Sequence, residues 1–459
     1  MPLLKKLLKD TDTQHSVICA QAAEGRRYYF NDDDIIKTGA AAIDEVNNYL
    51  QKLGKNPLKS ADNRIPTNWH RIFTDQKIGY LFTYPPMFDT NSATKDDQLL
   101  DDISKALGDD YERVIKQLGT DATNCGQAWL AYWVQDNQFD YYFVDPERIR
   151  VVYDTSTVKP KIQYIIDVYN IIDNEKTTTH YNLWSDTECV MFTQEENKDI
   201  IQTEVVSHTY GEVPFICFKN NAASVNDLKM YKKLIDATDK LFSGFANDID
   251  DLQEIIWVIK NYAGETSEID YTEDGEEVTR DISPLQRLKA EKLITVDADG
   301  GVDTLHGDIP YEARSKFLEM LIDQLYVSAM AVNPNPDKTG NASGVYIEFL
   351  YSLLELKAGL METEFRPALN KFVRAILKYL GRPQDVNLEQ IWTRNKPKND
   401  LEIVQMIAQT SNTVLSDETK TKVHPLSDDW STERERIAKE QEIASQNMFD
   451  DFSNPGGTE

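Results

Sequence analysis

A hydrophobic seam near the middle of the chain sets the strongest limit on its fold. Tyr231, Ile235, Thr238, Phe242, Phe245, Ile249, Leu252, Ile256 and Ile259 follow one another in alternating steps of four and three. That is a 3.5-residue repeat, the period of a helix packed lengthwise against other helices. Read as one helix over 227–263, it is about 50 Å long at 1.5 Å per residue. No small domain covers a helix of that length. It has to lie along a partner, either elsewhere in the chain or in a neighbouring subunit.

A second long feature follows at Tyr311 to Leu380 and reads as helix, loop, helix. In the first arm Phe317, Leu318, Leu321, Ile322, Leu325, Tyr326 and Ala329 form one apolar stripe at helical spacing. The loop contains Asn333, Pro334, Asn335, Pro336, Asp337, Lys338, Thr339, Gly340 and Asn341, with no large apolar side chain after Val332. Its prolines cannot continue a helix, and a polar loop with little to bury is expected to project towards solvent or a partner. The second arm starts at Val345 and carries Pro367, which predicts a kink within the preceding turn.

The remaining segments read as several smaller regions, as a chain of 459 residues requires. Residues 1–60 read as an extended start followed by a helix over Ile35 to Leu53. MPLLKKLLKD lacks the apolar stretch and cleavage site of a signal peptide and reads as a terminal arm or first helical turn. The triplet Asp32-Asp33-Asp34 reads as acids complementing a helix N-terminus rather than as a metal cluster. Residues 94–120 form an acidic amphipathic helix pair. Their Asp doublets read as a solvated face, because adjacent helical residues point apart. From about 126 to 218, aromatic and β-branched runs separated by turns predict an antiparallel sheet. Trp129, Trp133, Tyr141 and Tyr142 lack interleaved basic residues and read as sheet core rather than a base-stacking platform. The insertion 264–309 reads as an acidic stretch, a short helix beginning at Ser283, and a β-hairpin turning at Asp299-Gly300-Gly301. Short helices and a polar tail occupy 384–459. The fold class read from these segments is α+β, mainly helical.

Charge and motif content narrow the function. The formal net charge is −28, and a module that grips nucleic acid needs Lys and Arg at the phosphates. The same acidity does not exclude a protein that DNA passes without sticking. No phosphate-binding loop, GxSxG or HExxH occurs, and the six histidines are scattered. Cys19, Cys125, Cys189 and Cys217 form no CxxC pair. No catalytic residue, metal or cofactor is therefore assigned. No apolar run reaches membrane-spanning length. Asn341-Ala342-Ser343 matches a glycosylation sequon that reads as accidental.

Several segments, in this order, resemble the portal proteins (head-to-tail connectors) of long-tailed bacteriophages and related prophages. They are RRYYFNDDDI, NRIPTNWHRIFTDQKIGYLFTYPP, GQAWLAYWV with FVDPERIRVVYD, HTYGEVPFICFKNN with LKMYKKLIDATDKLFSGFANDIDDLQEIIWVIKNYAG, and SDETKTKVHPLSDDWSTERERIAKE. None is a catalytic signature, and the specificity lies in their order. The resemblance implies a homo-oligomeric ring of twelve copies at one capsid vertex, built in the host cytoplasm and retained in the virion. It implies a wing at 1–226, a long helix entering the stem at 227–263, a clip at 264–309 and a second stem helix at 310–331. A tunnel loop at 332–343, a kinked wing helix at 344–383, and a small crown with its tail at 384–459 complete the layout. The implied stem packing uses Phe242, Phe245, Ile249, Leu252, Ile256, Leu321 and Leu325. The implied clip, with Arg280, Gln286, Arg287, Lys289, Asp299 and Gly300, docks the terminase large subunit and later the head-completion adaptor. Major capsid and scaffolding proteins are further implied partners. The resemblance also implies that double-stranded DNA passes the tunnel loop without sequence-specific binding. Lys338, the one basic residue between Val332 and Ser343, is either a ring of positive charge near that DNA or a solvated lysine. Two other readings stay open: a structural adaptor without a channel, and a metal-dependent nucleic-acid enzyme.

Overall fold

The first departure from the sequence reading is at the N-terminus. Pro2–Tyr29 is one helix of 28 residues (α1), not an extended start. Pro2 opens it where a missing N–H costs nothing. Leu4, Leu7, Ala22 and Tyr28 are buried along it, but the intervening TDTQHS is polar and hides the period. The computed structural model describes residues 2–37, 62–90, 96–136, 138–156, 158, 160–173, 176–252, 256–262, 267–271, 277–281, 296–305, 311–334, 344–395, 400–411, 413–426, 433–434 and 436–440. Most of the expected Ile35 to Leu53 helix lies outside them; Asp34–Lys37 (α2) is helical.

The chain divides into two units, the first made of Met1–Ala23, Phe73–Asp227 and Ala329–Glu459. After α3 (Trp69–Phe82) and β1 (Met87–Thr90) comes the expected helix pair, α4 (Asp97–Leu107) and α5 (Tyr111–Cys125). Asp96 caps α4 by accepting from the Leu99 N–H at 3.0 Å. Gly126 closes α5 at φ 85°, where a Cβ would meet the Ser224 carbonyl oxygen at 2.3 Å, so only glycine fits. The Asp doublets lie on a salt-bridged surface: Asp101 pairs with Lys105, Asp110 with Arg113, and Asp102 with Arg382.

The sheet region holds two antiparallel sheets rather than one. In the first, β3 (Gln138–Val144), β2 (Gln127–Gln135) and β9 (Phe215–Lys219) lie in that order. The second has five strands in sequence order: β4 (Ile149–Asp154), β5 (Lys161–Asp173), β6 (Lys176–Trp184), β7 (Glu188–Glu195) and β8 (Ile201–Ser207). All seven residues of β8 are exposed, so no core-facing period marks it in the sequence. Trp129 is fully buried and Tyr141 packs on Phe372, as sheet core; Tyr142 departs from that reading and is exposed beneath Arg113. The main core joins Phe82, Leu118, Leu130, Phe218, Phe365 and Phe372, and Leu4 and Leu7 pack with Ile166 and Phe192 of the five-stranded sheet.

The second unit consists of Glu24–Ile72 and Leu228–Ser328. Here the seam is corrected. The helix α6 covers Leu228–Leu252, and Ile256–Tyr262 is a strand, β10. The run IIWVI is β-branched and aromatic, and a short apolar run of that kind satisfies either period. β10 pairs antiparallel with β13 (Val296–Leu305), with Lys260 opposite Gly301 and Tyr262 opposite Val296. The expected Asp299-Gly300-Gly301 hairpin turn is therefore a bulge within a single strand, since 297–300 are looped out opposite Asn261. Between them β11 (Ser267–Tyr271) and β12 (Glu277–Asp281) form a hairpin from the stretch read as acidic and coreless.

The helices α7 (Tyr311–Ala329) and α8 (Gly344–Tyr379) are the two expected arms; most of the segment between them lies outside the described residues. Leu321, Leu325 and Tyr326 are buried, but Phe317 of the expected stripe is exposed. α8 runs through Pro367 as one element. β14 (Leu388–Ile391) pairs with β1, and α9 (Asp400–Gln409) and α10 (Asp417–Val423) follow.

Candidate functional site

The segment that follows α7 begins with a root that two side chains of the first unit hold in place. Met330 takes a left-handed conformation, φ 52°, which ends the helix abruptly. Ala329, Ala331 and Val332 are buried around it. The Gln76 side chain on α3 reads the Val332 backbone on both sides. Its Nε2 donates to the Val332 carbonyl at 2.9 Å, and its Oε1 accepts from the Val332 N–H at 2.9 Å. An amide side chain here does what a neighbouring strand does elsewhere. Lys357, on α8, donates to the Ala329 carbonyl at 2.9 Å, so a second helix holds the entry to the loop.

Beneath that root lies a buried charge network. Lys357 Nζ is 2.9 Å from Asp227 Oδ2, and Lys77 Nζ is 3.1 Å from the same oxygen. Asn220 donates to Asp227 Oδ1 at 2.7 Å and accepts from Lys77 at 2.6 Å. The Asp227 N–H donates to the Thr123 carbonyl at 3.1 Å. Burial opposes the charge on Asp227, but Lys357 and Lys77 hold its carboxyl well below the usual range. Burial pushes the Lys77 ammonium down to about 8, with Asp227 opposing that shift and Lys357 adding to it. Two cations share one anion, so the network holds an excess positive charge away from water.

This arrangement positions the backbone of Ala329 and Val332. Among the described residues no group of three or more His, Cys, Asp or Glu is placed to hold a metal ion, and no helix is long and apolar enough to cross a membrane.

Over residues 8–447 the chain matches the family described as phage portal protein, SPP1 Gp6-like. It belongs to that family. It is similar to the portal protein of Clostridium phage phiCD119, 34% identical over 469 residues, covering 96% of this chain and 98% of that protein. It is similar to the portal protein of Bacillus phage SPP1, 31% identical over 461 residues, covering 93% of this chain and 86% of that protein. Among solved structures it is similar to a chain from the neck of an empty GTA particle computed with C6 symmetry. The TM-score there is 0.42 and the identity 11%, over 78% of this chain and 90% of that one. A chain from the neck of a native GTA particle computed with C12 symmetry gives 0.38 and 13%, over 78% and 88%.

The residues expected to matter in a portal subunit are placed unevenly. Asn333 is half-buried and Pro334 exposed; Asn335, Pro336, Asp337, Lys338, Thr339, Gly340 and Asn341 lie outside the described residues. So do Gln286, Arg287 and Lys289, whereas Arg280 stands opposite Glu268 in the β11–β12 register and Asp299 and Gly300 are in the β13 bulge. Of the seam, Tyr231, Ile235 and Thr238 are buried, Phe245 packs on Tyr311, and Phe242 and Ile249 are 42% and 45% exposed. Leu252 ends α6 and Ile256 opens β10, so those two do not share a helical face. Gln76, Lys77, Asn220, Asp227 and Lys357 were not read from the sequence. One signal was present: Lys77 and Lys357 each sit on the apolar face of a helix, beside Phe73 and Leu81 or Leu354 and Met361.

Proposed function

We propose that the chain is the subunit of a portal ring at one capsid vertex, the channel for genome entry during packaging and for exit during ejection. The observation that carries this is the family match across 8–447. The proposed layout is the one the resemblance implied, with one change. The wing holds 1–226 and the kinked helix 344–383, the stem holds α6 and α7, and 332–343 forms the tunnel loop. The clip now includes the β10 strand, which leaves a shorter stem helix. The crown and tail occupy 384–459.

The half-exposed seam supports the ring. Phe242 and Ile249 carry the 3.5-residue pattern to solvent, where the helix of a neighbouring copy would cover them. The anchored root supports the tunnel-loop reading, because a loop that DNA passes needs a fixed base. The acidity of the chain supports passage over binding. The clip would dock the terminase large subunit, whose ATP hydrolysis drives packaging, and afterwards the head-completion adaptor. Assembly would involve major capsid and scaffolding proteins in the host cytoplasm. The chain itself would act as a structural component and not an enzyme.

Imaging of the purified chain by negative stain, with native mass measurement, tests the proposal. Rings with a central hole are expected. Discrete monomers or dimers at high concentration would sink it in favour of an adaptor without a channel. Magnesium-dependent nuclease activity that disappears on carboxylate substitution would sink it in favour of an enzyme.

A further inference from the structure

The second unit buries two acids that, among the described residues, no cation bridges. Asp33, in the turn between α1 and α2, is fully buried, and neither of its oxygens meets a hydrogen-bond donor. Asp239, on α6, is also fully buried. Its Oδ1 accepts from the Thr67 N–H at 3.0 Å and from the Thr67 hydroxyl, while its Oδ2 meets no donor. Each of the two acids acts on the other's ionisation. Two ionised carboxylates do not persist in that position, because each lacks water and repels the other.

The charged neighbours are already committed elsewhere. Asp236 and Asp34 add negative charge around the pair. Lys232 binds Asp34 at 2.6 Å and Asp236 at 3.0 Å, and Arg27 binds Asp34 at 2.8 Å. The Tyr28 hydroxyl donates to Asp236. Burial opposes ionisation of Asp34, but Lys232 and Arg27 hold its carboxyl down at about 2. These cations therefore neutralise the outer acids, and what completes the inner pair is a proton.

We propose that Asp33 and Asp239 share one proton, which latches the α1–α2 turn onto α6 and is released as the pH rises. Burial, then contact with Asp239, pushes the Asp33 carboxyl up to about 8. In an unfolded chain the same group titrates near 4. Between about 4 and about 8 the folded chain holds a proton that the unfolded chain lacks. The latch is therefore worth most at acid pH, and its contribution falls about tenfold in the folding equilibrium per pH unit across that window. Above about 8 neither state holds the proton and the latch is open.

Thermal unfolding of the purified full-length chain, from about pH 5 to about pH 9 at constant ionic strength, tests this in wild type, Asp33→Asn and Asp239→Asn. An asparagine amide donates permanently where the proton donated conditionally. Both variants are expected to lose the part of the pH dependence that belongs to one proton, and to match or exceed wild type at the alkaline end. Wild-type and variant profiles that run parallel would overturn the proposal. Infrared spectra of the wild type give a second readout that needs no variant. A protonated-carboxyl stretching band is expected near neutral pH and is lost above about pH 9. Its absence near neutral pH would equally overturn the assignment.

Discussion

Replacing Asp227 by Asn leaves two buried ammonium groups without a counter-charge. Asp227 is 2.9 Å from Lys357 and 3.1 Å from Lys77, and all three side chains are buried. The isosteric amide keeps the volume and still accepts at Oδ1, so the loss is almost entirely electrostatic. Breaking a buried ion pair by removing one partner costs about 3–5 kcal/mol. At about 1.4 kcal/mol per tenfold, that is roughly two to three and a half orders of magnitude in the folding equilibrium. Lys77 limits the damage, since its ammonium already titrates at about 8 and can give up its proton. The defect should therefore be larger near pH 6 than near pH 9, because Lys77 sheds its charge as the pH rises. Differential scanning fluorimetry at both pH values measures this, and Lys77→Met in the Asp227→Asn background supplies the control. Removing one unpaired cation should recover part of the lost stability, although Asn220 Oδ1 then loses its donor, at about 1–3 kcal/mol. An Asp227→Asn variant as stable as wild type near pH 6, or a double variant no better than the single one, would refute the reasoning.

The other predictions concern the loop and the ring. Gln76→Ala removes both hydrogen bonds to Val332 and should cost about 2 kcal/mol locally; hydrogen exchange at the Val332 amide should quicken while exchange in the sheets stays unchanged. Ile249→Asp alters an exposed side chain, so the subunit should fold normally but give smaller assemblies in mass measurement. Lys338→Glu should slow genome packaging in a reconstituted assay if that lysine faces DNA. A wild-type rate would return Lys338 to the status of a solvated lysine.

The 3.5-residue seam was legible because a helix repeats its contacts along its own length. Its end was not. IIWVI fits a strand or a helix equally well, and pairing with β13, about forty residues away in sequence, decided between them. The β8 strand was missed for the opposite reason, as exposed residues leave no burial period to read. α1 was missed because its polar middle interrupts the apolar pattern that marks its two ends.

The sequence alone determined the mixed fold class, the helix–loop–helix, the acidic character and, through the order of its segments, the portal family. Those properties are local or additive, so they survive without coordinates. The tertiary structure decided which charges are buried together. Gln76, Lys77, Asn220, Asp227 and Lys357 come from three separate stretches, and the acids at 33 and 239 from two. A lone lysine on an apolar helical face gives no clue to its partner. Burial in one place, with no water to satisfy the charge, is what turns such scattered residues into the anchor of the loop and the shared proton of the latch.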